Sequence, residues 1–415
     1  MTGLALVFAA CAVQAEVRPL AEPDRTEVLE LSKWIWGHPE LSDQETNACA
    51  RHVALLRRKG FDVIERFVDM PTAYRAEFSS GVGRPTFAFC SEYDALPKVG
   101  HACGHNLNGG AAISAALLVQ RRLRETGADG RIVIFGCPAE ETRGGKIDMV
   151  ERGAAKGVDA MMMAHAVPGV NAIRDTGYAG IRNVTVTYTG VGGSPAARCA
   201  ASSIRNALDA QTLLYEAVGL RRHYTSPDVA IAGTITQAGD RANTVPVETT
   251  SSYTIRSQDL NLLEETEREF RRMAEGAALL AGVKLAYEST GRYRPTNPCF
   301  ELSVVYMDAM KARGIGGENI REKQANFAAT DFGNFSQVVP AVHVHFPVGG
   351  SWFETAVHSK GFAELCDRPH AYENMFKCGE AMAEVALKYL TDAGFRALVG
   401  AEFARLQSTE GSPEK

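Results

Sequence analysis

Four stretches of the chain carry side chains whose types and spacing could do chemistry together. In GHACGHNLNGG, residues 100–110, Cys103 and His105 stand two positions apart around Gly104. In an extended segment both side chains point the same way. A thiolate with an imidazole suits a transition metal and not calcium or magnesium. In CPAEETRGG, residues 137–145, Glu140 and Glu141 leave the apolar run RIVIFG and enter a glycine-rich loop. In extended chain adjacent carboxylates project to opposite sides, so one could bind a metal while the other addresses a bound water. His165 closes the apolar run VDAMMMAH, and His358 lies in ETAVHSKGF, ahead of the last amphipathic segment. Each has a bland explanation alone: a turn, a solvated acidic loop, a histidine at a strand rim. Together they fall at strand ends and loop mouths, which is how a metal site is distributed over a chain. The C-terminal ends of strands are also where open α/β sheets place their ligands.

Hydrophobic periodicity predicts the elements that must position these residues. DRTEVLELSKWIWG reads as a helix with Asp24 as N-cap. Ser42 with Glu45 three residues on reads as a capping box for a second helix ending near Gly60. FDVIERFV, AYRAEFSS and TFAFC read as strands, GGAAISAALLVQRRLRETG as a helix, and RIVIFGC as a buried strand. IDMVERGAA reads as a helix and VDAMMMAH as a further buried strand. The alternation predicts an α/β fold with a mostly parallel sheet and helices on both faces. From Ile181 the texture changes. The alternating strand IRNVTVTYTG, a helix over 200–221, strands in VAIAGTITQAG and TVPVETTSSYTIRS, a charged helix over 260–280 and the strand VKLAYEST form a ferredoxin-like βαββαβ unit. The α/β texture then returns and ends in the amphipathic helix NMFKCGEAMAEVALKYL. The expected organisation is a catalytic metal-binding domain in two parts, 16–181 and 293–415, with an inserted domain at 182–292.

Composition narrows the partners. The 415 residues are 45% hydrophobic and 22% charged, with a formal net charge of −5. That supplies a real core and no sign of the basic patch that nucleic acid or an anionic membrane requires. No run approaches the roughly 18 apolar residues of a membrane span. Nine cysteines, odd in number and scattered through apolar runs, are the usage of a reducing compartment. The expectation is a cytoplasmic protein. Residues 1–15 keep export open as an alternative, because the apolar run Gly3 to Ala15 ends in Val13-Gln14-Ala15, which resembles a signal-peptidase site. No Lys or Arg precedes that run, which weighs against it.

In order along the chain, EYDALPKVGHACGHN, CPAEE, VDAMMMAH, GDRANTVP, IRS, ATDFGNFSQVVP and VHSKGF resemble motifs of the M20 metallopeptidase/amidohydrolase family. The subfamily they resemble holds aminobenzoyl-glutamate hydrolases, aminoacylase-like dipeptidases and indole-acetyl-amino-acid hydrolases. The resemblance runs from Thr26 to Leu390, and the inserted unit falls where the family carries its lid or dimerisation domain. It implies metal-ligand positions at Cys103, His105, Glu141, His165 and His358, and a general base at Glu140. It implies that Asp94 orients a metal-binding imidazole, and that Asn243 and Arg256 hold a substrate carboxylate or carbonyl oxygen from the lid. The cofactor implied is one or two divalent transition-metal ions per subunit, Mn or Zn first, with Co or Ni as alternatives. The partners implied are a small carboxylate-bearing substrate and further copies of the chain, as a homodimer or higher homo-oligomer. The reaction implied is hydrolysis of a C–N bond, the amide of an N-acyl or N-aryl amino acid or of a dipeptide.

The sequence departs from the family pattern in the lid. Family members carry a histidine there in a Gly-x-x-x-His-Ala context, which helps to stabilise the tetrahedral oxyanion. The corresponding stretch here, TGVGGSPAARCAASS, has no histidine, and Ser194 or a near neighbour stands in its place. His343 and His345 in AVHVHFPVGG, and His223 in RRHYTS, are the imidazoles that could compensate. Alternating positions on a strand account for the first two at least as well, and a surface loop accounts for His223 better. Two other readings stay open. One is hydrolytic deamination of an electron-poor aminoarene carboxylate of the nitroanthranilate type, a reaction without a carbonyl oxyanion. The other is an inactive metal-binding homologue.

Overall fold

The computed structural model describes residues 17–196, 203–318, 324 and 326–410. The N-terminal apolar run, Cys11 and Cys199 lie outside the described residues. The element order is α1 (Asp24–Gly37), α2 (Thr46–Arg58), β1 (Asp62–Glu65), β2 (Tyr74–Ser80), β3 (Thr86–Glu92), α3 (His105–Thr126), β4 (Gly130–Cys137), α4 (Gly145–Glu151) and β5 (Ala160–Val167). Then come β6 (Gly180–Thr189), α5 (Ala207–Arg221), β7 (Val229–Gln237), β8 (Glu248–Ser257), α6 (Leu260–Ala281) and β9 (Lys284–Tyr293). The chain closes with α7 (Phe300–Ala312), α8 (Phe332–Ser336), β10 (Ala341–Pro347), α9 (Lys360–Leu365), α10 (Pro369–Thr391) and α11 (Ala393–Glu410).

The strands make two sheets. The first is six-stranded in the order β1-β2-β4-β3-β5-β10. β3, β4, β5 and β10 run parallel, and β1 and β2 close one edge antiparallel. Its central strands are buried on both faces, which is why they read as continuous apolar runs. The period of two still sorts the side chains. Phe87, Phe89, Ile132, Ile134, Met162, Ala164, Val342 and Val344 pack with α3 and α10. Ala88, Cys90, Val133, Phe135, Met161 and Met163 pack on the other face with Phe332 and Phe335 of α8. The second sheet has the order β7-β8-β6-β9 and is antiparallel throughout. Helices α5 and α6 cover one of its faces through Leu214, Phe270 and Ala274, against Val184, Val186, Tyr188, Tyr253 and Ile255. Both sheets match the expected α/β architecture with its ferredoxin-like unit.

Three local expectations need correction. Asp24 is not the cap but the first residue of α1, after Pro23. Ser42 and Glu45 form no capping box: Ser42 Oγ donates to Asp94 Oδ2 at 2.9 Å. The Glu45 carboxylate turns inward to accept from Thr72 Oγ1 at 3.1 Å and from the Ala139 backbone at 2.8 Å. Tertiary donors outcompete the local N–H groups there. Helix α5 begins at Ala207, capped by the Asn206 side chain on the Leu208 backbone N–H, later than the expected start at 200. Residues 200–202 are outside the described residues. Among those described, no helix is long and apolar enough to cross a membrane.

Candidate metal centre

The site is assembled at the C-terminal ends of β3, β4 and β5. Cys103 and His105 do not lie on extended chain. Gly104 between them takes φ +74° as the residue before α3, a conformation open to glycine at no steric cost. A Cβ there would also stand 2.7 Å from the Ala166 Cβ. The turn still brings the two side chains together. Cys103 Sγ lies 3.2 Å from His165 Nε2, and the His165 ring is set by its Nδ1–H, which donates to the Ala166 carbonyl at 2.7 Å.

His105 is fully buried, and its Nδ1–H faces Asp94 Oδ1 at 2.9 Å. Asp94 in turn accepts from Ser42 Oγ and from the backbone N–H of Glu141 at 3.0 Å. That leaves His105 Nε2 pointing into the site with no hydrogen-bond partner among the described residues.

Glu140 and Glu141 also differ from their expected geometry. They do not project to opposite sides of an extended chain. Ala139 adopts φ +58°, and the turn directs both carboxylates toward His105. Glu141 Oε2 lies 3.5 Å from His358 Nε2, while Glu141 Oε1 is buried with no hydrogen-bond partner among the described residues. His358, itself at φ +67°, is held by its backbone N–H on the Ala102 carbonyl at 2.7 Å. Its side chain is 56% exposed, so it forms the mouth of the site.

Ligand atoms of three overlapping sets fall within 4.8 Å of one another: Cys103, His105 and His165; Cys103, Glu141 and His358; His105, Glu140 and Glu141. A sulfur, three imidazoles and two carboxylates with inward-facing lone pairs fit a transition metal. The two orphaned atoms, His105 Nε2 and Glu141 Oε1, are the places where a cation would supply the missing partner. Burial pushes the Cys103 thiol well above its usual range. Burial, with the like charges of Glu92 and Asp331, pushes Glu140 well above the usual carboxylate range. Burial works against a charged His105, but the Glu92 and Asp94 carboxylates outweigh it and raise its proton affinity. Burial holds His165 down at about 4.

The structure does not bring every expected residue to this cluster. Asn243 is exposed in the turn between β7 and β8. Arg256, on β8, donates from Nη1 to the Phe327 carbonyl at 2.8 Å. His223 is exposed, in the short turn after α5. His343 and His345 are buried instead, with rings 5.9 and 6.3 Å from the His165 ring.

Sequence reasoning missed a group of charges beneath the site. Lys146 is fully buried, with Nζ 2.6 Å from both Glu92 Oε1 and Asp331 Oδ1. Glu92 Oε2 accepts from Asn108 at 3.1 Å and lies 3.5 Å from His105 Nε2. Burial alone would raise Glu92, but Lys146 and His105 beside it hold its carboxyl far below the usual range. The three charges stand in or beside the motifs of the site, in SEYDALP, just after CPAEETRGG and in ATDFGNF. Only their coincidence in space marks them.

The model of peptidase family M20/M25/M40 matches residues 88–384. A Xaa-Arg dipeptidase of Mus musculus is 31% identical over 374 residues, covering 86% of this chain and 84% of its own. One of the subunits of p-aminobenzoyl-glutamate hydrolase from Escherichia coli (strain K12) is 30% identical over 279 residues, 62% of this chain and 56% of the relative. A solved dinuclear metal-binding peptidase of the M20 family from Bacillus subtilis superposes with a TM-score of 0.69 at 20% identity, over 90% of this chain and 100% of that one. The fold, the match over more than half the sequence and the dipeptidase relative agree: the chain belongs to peptidase family M20/M25/M40, whose members are hydrolases acting on C–N bonds.

Proposed function

We propose that the protein is a metal-dependent hydrolase that cleaves the amide of an N-acyl or N-aryl amino acid, or of a dipeptide, in a small carboxylate-bearing substrate. The observation that carries this reading is the convergence of Cys103, His105, Glu141, His165 and His358 with two inward-facing atoms left unpaired. Leaving such atoms unsatisfied costs about 1–3 kcal/mol each, a penalty that a bound cation removes. The donor set suits Zn or Mn, with Co or Ni as alternatives, as one or two ions. When bound, such an ion polarises the substrate oxygen and lowers the pKa of water from 15.7 toward about 7.

The chain's own groups do the rest. Asp94 fixes the His105 tautomer so that the Nε2 lone pair faces inward. Glu140 takes the proton of the attacking water and delivers it to the leaving nitrogen. Arg256 gives one of its five N–H donors to Phe327 and keeps others for a substrate carboxylate, with Asn243 on the same inserted unit. We assign that unit, 182–292, the lid and self-association roles, and light scattering tests the second: a monomer would count against it.

The deciding assay uses N-acetyl amino acids, p-aminobenzoyl-glutamate and Xaa-Arg dipeptides, the last two being the chemistries in the relatives' names. Wild type should release amine from at least one, and Glu140→Gln should retain metal while losing turnover by about a hundredfold or more. Retained turnover would remove Glu140 as the base. One observation favours a second reading: the lid stretch 189–203 holds no histidine. That absence suits attack on an aromatic carbon, with ammonia leaving. Ammonia release from a nitroanthranilate, with no amine release from the amide panel, would establish it.

A further inference from the structure

Strand β10 interrupts its own apolar alternation. Val342, Val344 and Phe346 enter the core beside α3 and α10. On the opposite face stand Ala341, His343 and His345, where neighbouring β5 carries Met161, Met163 and His165. The register pairs His343 with Met163 and His345 with His165. The His343 imidazole thus occupies a position that Met163 fills one strand away, while the His345 imidazole stands level with that of His165. His343 and His345 are 2% and 4% exposed, with ring centroids 4.9 Å apart.

Tyr178 closes over them from the segment that leads into β6. Its ring lies 5.0 Å from the His343 ring at 70°, and its hydroxyl is hydrogen-bonded to His345 Nε2. Asp175 Oδ2 accepts the His343 backbone N–H at 2.8 Å and ties that segment to the strand. Yet neither ring nitrogen of His343 has a hydrogen-bond partner among the described residues. Buried polar atoms of native proteins are nearly always paired, so these are held ready for a ligand or for water.

We propose that His343 and the Tyr178–His345 pair form a fixed hydrogen-bonding wall that donates to an oxygen on the attacked centre of the substrate, the task for which the lid stretch offers no histidine. The inference rests on the C–N hydrolase reading above and names its oxyanion donors. A phenol and an imidazole share one proton in their mutual bond and keep at least one further donor. Carried on a parallel strand and braced by Asp175, these donors need no lid closure to be in place, and preorganised donors are what stabilise charge developing in a transition state. At His343, a role in packing alone would be served by the methionine that β5 uses beside it.

The test uses the metal-loaded full chain and a phosphinic dipeptide analogue, in which a tetrahedral phosphinate replaces the scissile amide, beside the simple carboxylate product. Tyr178→Phe and His343→Leu should lower kcat/KM and weaken the analogue in parallel, by about a hundredfold or more. Metal content and product affinity should stay within about threefold of wild type. His343→Gln, which keeps a donor, should recover part of both losses and remains informative if His343→Leu fails to fold. Analogue affinity unchanged in Tyr178→Phe, or in a folded His343→Leu, would overturn the proposal. So would metal content that falls in step with activity, which would make the wall a support for His165 alone. If wild type cleaves and binds while the variants match it, only this proposal falls. If wild type neither cleaves the amide panel nor binds the analogue, the hydrolase reading falls with it.

Discussion

Glu45 shows how far the site's loop depends on single residues remote from it in sequence. Its carboxylate holds the Ala139 backbone N–H, one residue before Glu140. Burial and the nearby charge of Asp94 raise its pKa to about 7 from 4.5. The folded state therefore binds this proton more tightly than the unfolded chain does. The associated stability is fully present below pH 4.5 and is lost as pH rises to about 7, a change of about 3 kcal/mol. Glu45→Gln keeps an accepting oxygen and removes the titration. Unfolding free energies of the two proteins should diverge across that window, with the variant gaining on wild type as pH rises; parallel curves would refute the assignment. At this scale the sequence disclosed side chains by type. Cys103, His105, His165 and His358 stand out by type because few residues bind transition metals, whereas the choice of Glu141 over its neighbour Glu140 as a ligand follows from the family resemblance. Glu45 read as a helix signal, and Lys146 as nothing at all, because a lysine after two glycines has no distinguishing period or spacing.

At the scale of elements, the strands and long helices were legible because burial on both faces leaves continuous apolar runs, as in VDAMMMAH and RIVIFGC. The turns were not. Ala139 and His358 hold positive φ without being glycine, and nothing local announces a conformation that tertiary contacts impose. Gly104 is the exception, since the left-handed turn before α3 has a plain chemical signal. Gly104→Ala should cost about 1–3 kcal/mol from backbone strain alone, with a further clash at Ala166. It should lower metal content as well as melting temperature, because Cys103 and His105 flank the turn. A variant that melts early yet binds full metal would separate the turn from the site.

At the scale of the molecule, the sheet domain buries more charge than its core alone requires. Lys146, Glu92 and Asp331 are all fully buried. Lys146→Met would leave two carboxylates facing each other without their cation and should destabilise the fold by about 3–5 kcal/mol. Thermal unfolding checks this, and an unchanged melting temperature would show that the charges are relieved by other means. Metal should likewise act as a ligand of the native state only. Free ion at a hundredfold over Kd should add about 2.7 kcal/mol, so a chelator should lower the melting temperature and added Mn or Zn restore it. The two-sheet architecture followed from the change of texture at Ile181. The polar layer beneath the site did not, because it is assembled from β3, α4, α8 and β10, elements that only the fold brings together.

The most direct test is anomalous diffraction at the absorption edge of the bound metal, from crystals of the chain grown with Mn or Zn. The account predicts a peak within about 2.0–2.3 Å of Cys103 Sγ, His105 Nε2 or His165 Nε2, with Glu141 and His358 completing the shell and Glu140 beside it. Metal located elsewhere, or no peak between these side chains at saturating ion, would contradict it.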